Sequence, residues 1–169
     1  MKFILVCFGG LVMALLGAPP AAADINISGI NIGNQGNANA SFGNVAVALG
    51  PLDTAEATGG IGNIALASGG SVATKRGGGS FNVVTAAGNS NAGVVDSNLT
   101  WTSTLNQGSA TVINANGTFS AAVGKNTIKP SSTSIIDQNL SVQTAFCGGT
   151  ATSAQGRINV SFGSPCRGS

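Results

Sequence analysis

The chain of 169 residues has no histidine and no tyrosine, and only 7 % of it is charged, against roughly 25 % in an ordinary soluble domain. Without histidine the commonest general acid–base group is missing, and no Ser-His or Cys-His nucleophile pair can exist. Charge of either sign is scarce, with seven Lys and Arg against five Asp and Glu. So small a surplus is too little to hold nucleic acid through counterion release, and nucleic acid is excluded as a partner. Proline is rare as well, at 5 residues, and together with 26 glycines it stays below the share of roughly 25 to 30 % that marks low-complexity disorder. The hydrophobic share of 43 % suits a folded domain.

Long apolar runs are missing beyond the first residues. Lys2, the apolar stretch Phe3 to Leu16, Pro19-Pro20 and the small-residue site Ala21-Ala22-Ala23 read as a secretory signal peptide over 1–23, cut before Asp24. No later stretch approaches the roughly 20 apolar residues that a membrane-spanning helix needs, so the expectation is a single secreted domain over 24–169 with no membrane span. Of the three cysteines, Cys7 leaves with the leader. Cys147 and Cys166 remain as a pair in an exported chain, where oxidation is favoured, and are expected to form a disulfide.

A motif recurs along the chain. Ser41 to Gly50 returns as Ile61 to Gly69 and again, more weakly, as Phe81 to Gly88. Asn44, Asn63 and Asn82 fall nineteen apart, as do Gly50, Gly69 and Gly88, and large apolar residues keep the beat at Phe42, Ile61, Phe81, Trp101 and Phe119. Each period holds two straight segments and two turns, which predicts an all-β repeat region over 31–125. Two architectures fit. In a β-solenoid each period is one coil, and the large apolar residues form an internal ladder. In an antiparallel sandwich, barrel or meander each period is a hairpin. The fixed register favours the solenoid, and it brings Glu56 and Lys75, also nineteen apart, onto one position. Within a copy, Val45, Val47, Leu49, Ile64 and Leu66 alternate with alanines, so the bulky face is expected to be the buried one. Pro130-Ser131-Ser132 reads as a linker, and the tail, 131–169, as a hairpin of Leu140 to Phe146 and Arg157 to Phe162 closed by the disulfide.

The units Gly43-Asn44-Val45-Ala46 and Gly62-Asn63-Ile64-Ala65 resemble the repeats of curlin-type functional amyloids and of β-roll heads in trimeric autotransporter adhesins, with a longer period than the adhesin heads and without the curlins' regular glutamines. The run Asn31-Ile32-Gly33-Asn34-Gln35-Gly36-Asn37 is similar to the Asn-Gly repeats of mycobacterial PPE-type surface proteins. These resemblances cover residues 31 to 88. They imply an actinobacterial protein of the cell surface and carry over no active site.

Other constellations have a chemical reading and a plainer one. Asp53 and Glu56 form a possible glycosidase pair or calcium site, or else a solvated turn; a hard cation wants six or more oxygens and only these two charges are near. The row Thr100, Thr102 and Thr104 resembles an ice-binding face, or is one half-exposed strand. Lys75-Arg76 before Gly77-Gly78-Gly79 reverses the order of a phosphate-binding loop and reads as a solvated turn. The Asn-x-Ser/Thr sites at Asn26, Asn39, Asn98, Asn116, Asn139 and Asn159 arise readily in a chain with 17 asparagines. The function these features point to is noncatalytic, with no cofactor and no metal: a secreted envelope or surface protein whose partner is a cell-wall, carbohydrate or protein surface. Self-association into an amyloid-like structural subunit is the alternative, and a carbohydrate-active enzyme acting through Asp53 and Glu56 comes third.

The disulfide gives the first test. Peptide mapping of the exported protein without reductant should recover Cys147 and Cys166 in one cross-linked fragment, and Cys147→Ser should cost about 3 kcal/mol, the chain-entropy value for a loop of this size. Two free thiols in the native protein would reject the bridge.

Overall fold

Short runs of Val, Ala, Thr and Ile broken by Gly and Asn favour strands of a few residues and tight turns between them. A computed structural model shows that arrangement along the chain. The structure describes residues 24–32, 37–124, 130–152 and 157–163. The proposed leader and Cys166 lie outside the described residues.

The chain begins with an antiparallel pair, β1 (Asp24–Ile27) and β2 (Ile30–Ile32). From there strands alternate between two sheets. Sheet B takes β3 (Asn37–Ala40), β5 (Thr54–Ala57), β7 (Val72–Arg76), β9 (Asn91–Val95), β11 (Ser109–Ile113), β13 (Ser132–Ile136) and β15 (Thr150–Thr152). Sheet A takes β4 (Val45–Ala48), β6 (Ile64–Ser68), β8 (Val83–Ala87), β10 (Trp101–Leu105), β12 (Phe119–Val123), β14 (Val142–Phe146) and β16 (Ile158–Phe162), with β1 and β2 added at its start. Every pairing from β3 onward is parallel; only β1 meets β2 and β4 antiparallel. This is a β-solenoid, and the antiparallel alternatives fall away. The tail is not a hairpin: β14 and β16 pair in parallel, with β15 between them in the other sheet. Pro130 to Ser132 is likewise part of a coil, since Ser132 opens β13.

The assignment of faces is reversed. Ala46, Ala48, Ala65, Ala67, Ala55 and Ala57 point inward and are buried, while Val45, Leu49, Ile64 and Leu66 lie half-buried outside. Val47 is the exception, buried on the outer surface, where it sits in register between Ile25 and Leu66. Each coil contributes one strand to each sheet, so the interior is only two side chains deep. Small residues let the two sheets close, and two facing rows of leucine would hold them apart. Phe42, Ile61, Phe81 and Trp101 are therefore exposed and form no internal ladder. They do not even share a column: Phe81 follows Gly43 and Gly62, and Trp101 pairs with Val83 and Phe119. Toward the C-terminal end the interior becomes polar, with Thr102, Thr104, Ser120, Thr133 and Gln143 all buried.

Both corners are closed by stacked polar side chains. In one column the Asn44 Oδ1 accepts from the backbone N–H (2.8 Å) and the amide of Asn63 (3.0 Å), and the Asn63 Oδ1 accepts the same two bonds from Asn82 at 3.0 and 2.8 Å. The Asn82 Oδ1 ends the series by accepting from Thr100 N–H and Oγ1. In the other column Asp53 accepts from the N–H of Ser71, Ser71 Oγ from that of Ser90, and Ser90 Oγ from that of Gly108. Each side chain satisfies a turn amide of the next coil that the ladders miss.

Asn63→Ala removes a buried amide that serves coils on both sides. It should cost about 2 to 4 kcal/mol, the range for breaking a buried network. Denaturant unfolding checks this, with Asn98→Ala, on an exposed turn, as the variant expected to change stability by under about 1 kcal/mol.

Candidate interaction surfaces

The structure separates Asp53 from Glu56. Asp53 heads an inward column at 1 % exposure. Glu56 points outward from β5, where its carboxylate meets the Arg76 guanidinium at 2.5 Å. Among the described residues no group of three or more metal-ligating side chains comes together. Thr100, Thr102 and Thr104 face the interior, so they form no outer row. Cys147 follows β14, and its expected partner lies outside the described residues.

Glu56 and Lys75 do not share a position. The sheet B repeat is eighteen residues here, so Glu56 pairs with Thr74 and Lys75 with Ala57. A slip of one residue carries a side chain to the other face of a strand. Lys75 is thereby buried completely, and its ammonium donates to the backbone carbonyls of Gly78 (2.6 Å), Gly77 (2.8 Å), Gly59 and Gly79 (3.0 Å each) and Thr58 (3.3 Å). The Gly77-Gly78-Gly79 turn thus folds its oxygens around the cation, the reverse of a loop that cradles phosphate with its N–H groups.

The outer surfaces differ in chemistry. The outer face of sheet B carries two ranks of hydroxyls on its last three coils, Ser109, Ser132 and Thr150 in one and Thr111, Ser134 and Thr152 in the other, flanked by an apolar rank of Val95, Ile113 and Ile136. Thr54, Thr74 and the Glu56–Arg76 pair continue it toward the start. Outward positions on sheet A carry no ionisable group, and its exposed residues include Ile30, Ile32, Trp101, Phe119, Ile158 and Phe162. Along the middle of this face run the smaller Thr85, Ser103, Ala121 and Thr144, with the Thr85 hydroxyl donating to Ser103 Oγ at 3.0 Å. A cleft of about 370 Å³ opens at one edge, over Gly117, between Leu99, Trp101, Phe119 and Val142. Of the sequence-expected features, the large apolar residues were read as one internal ladder, whereas they are exposed and fall in separate columns; the sheet B hydroxyls were missed, because Ser and Thr interchange along a column and only the i, i+2 spacing marks them.

Burial pushes the Lys75 amine below its ordinary value of 10.5, with a smaller upward pull from Asp96. Between the lowered folded-state value and 10.5 the unfolded chain binds more protons than the folded one, so unfolding free energy should rise with pH across that window. Lys75→Met should abolish that rise and, with the caged carbonyls left facing a thioether, lower stability at pH 7 by about 2 to 3 kcal/mol. Chemical denaturation between pH 7 and 10.5 measures both.

Comparison of the chain with protein-family models, with curated proteins and with solved structures finds no match.

Proposed function

We propose that the protein is an exported, noncatalytic interaction module of the cell envelope, and that its working surface is the outer face of sheet B. The observation that carries this reading is the pair of hydroxyl ranks. They repeat about every 4.8 Å along the solenoid and about 7 Å across each strand. A periodic array of small donors and acceptors suits a ligand that is itself periodic and rich in hydroxyls, which makes an envelope polysaccharide the partner of choice. The secretory leader and the resemblance to repeat surface proteins support the same compartment.

Retention on insoluble cell-wall polysaccharide tests it. The double variant Thr111→Glu with Ser134→Glu should reduce retention at least about tenfold, because two carboxylates replace hydroxyls in the centre of the array. Unchanged retention, or a protein recovered wholly from the medium with no affinity for the wall fraction, would overturn the reading.

Assembly end to end is the second reading. It draws on β15 and β16, which terminate their sheets and hold no charged residue, leaving strand edges with little to block pairing. Amyloid-dye binding and fibre diffraction of the purified protein separate the two.

A further inference from the structure

We propose that the outer face of sheet A is the contact surface for a second copy of this chain, related to the first by a two-fold axis running along β8. The inference is independent of the role given to sheet B, since a dimer joined through the A faces leaves both B faces turned outward.

Backbone strain points to a covered surface. Before each of β4, β6, β8, β10, β12 and β14 one position takes a left-handed backbone, and glycine meets that demand at Gly43, Gly62 and Gly117. In the same column the chain places Phe81, Leu99 and Leu140, at φ values of 60°, 52° and 52°. Large L-residues are disfavoured there, and these three gain little from their own fold, being 60, 67 and 77 % exposed. Strain held without burial marks a site whose benefit lies elsewhere, and burial against a partner supplies it.

Charge and shape point to a like partner. With no ionisable group on the face, a copy meets it without repulsion, whereas a charged macromolecule gains nothing there. Sheet A has nine strands and β8 is the middle one. A two-fold axis along it lays β4 of one copy over β12 of the other and keeps matching strand ends on the same side. Phe42, 83 % exposed just before β4, then falls opposite the cleft over Gly117, just before β12, and the symmetry makes this contact twice. Nine strands at about 4.8 Å, six of them five residues long and the others three or four, at about 3.3 Å per residue give roughly 650 Å² per copy, so the pair buries about 1,300 Å², within the range of stable interfaces.

Sedimentation of the exported protein from about 1 to 100 µM, at or above the micromolar weak end of the affinities of interfaces this size, is the primary test. A dimer is expected. Phe42→Arg and Ser103→Arg should each weaken it about 100-fold with unchanged circular dichroism, and Thr111→Arg, on sheet B, should leave it intact. A short bis-maleimide should join copies through Thr85→Cys, at the axis, and not through Val160→Cys, at the far end of the face. A protein monomeric throughout overturns the proposal, including one that binds phosphatidylglycerol vesicles as a monomer. So does a dimer that survives both arginine variants, or one cross-linked through residue 160 and not 85. Wall retention is read separately, so loss of the dimer with retention intact removes this inference alone.

Discussion

Each coil is hydrogen-bonded to the next through both sheets at once, and this in-register stacking governs where every side chain goes. A residue's surroundings are set by the residues one coil before and after it, eighteen or nineteen places away in the middle coils, more than by its chain neighbours. Turn amides that would point into a narrow interior find their acceptors one coil away, in Asn44 and Asn63 at one corner and Asp53 and Ser71 at the other. A buried polar side chain is costly alone. Stacked with its equivalent, it becomes the device that keeps the register.

The period was legible because asparagine repeats itself at one corner, and from it the solenoid and its alternation of strand and turn could be read. The second corner was not, because Asp53, Ser71 and Ser90 do the same task with different side chains. The sense of the faces was misread because burial of large apolar groups usually decides orientation, and here the width of the coil decides it. Lys75 was misplaced for a third reason. A repeat of nineteen in sheet A and eighteen in sheet B at this point cannot be told from a uniform repeat by eye, and one residue is the difference between solvent and core.

Filling most of the coil with alanine leaves the aromatic side chains and the leucines on the exterior. The distribution there is uneven: the Glu56–Arg76 pair and two ranks of hydroxyls lie on sheet B beside an apolar rank of Val95, Ile113 and Ile136, whereas sheet A carries the aromatic residues and no ionisable group. The described coils differ in chemistry from one sheet to the other, as the two sides of a surface helix do, though the stripe is drawn by one strand in two and not by a 3.6-residue turn. Such a body has two surfaces with different chemistry and very little charge to steer either.

The interior also changes along the axis. Apart from Lys75, alanine and valine fill the coils near β6 and β8, whereas those near β12 and β14 mix Ser120, Thr133 and Gln143 with Ala122, Ile135 and Ala145, and neither side-chain polar atom of the Gln143 amide has a hydrogen-bond partner among the described residues. In a stack where each repeat leans only on its neighbours, free energy is distributed coil by coil. The C-terminal coils then open before the middle ones, like a zipper fraying from one end. Amide protons should be protected in a gradient that rises from β16 toward β8, and partial unfolding shortens the rod without dissolving it.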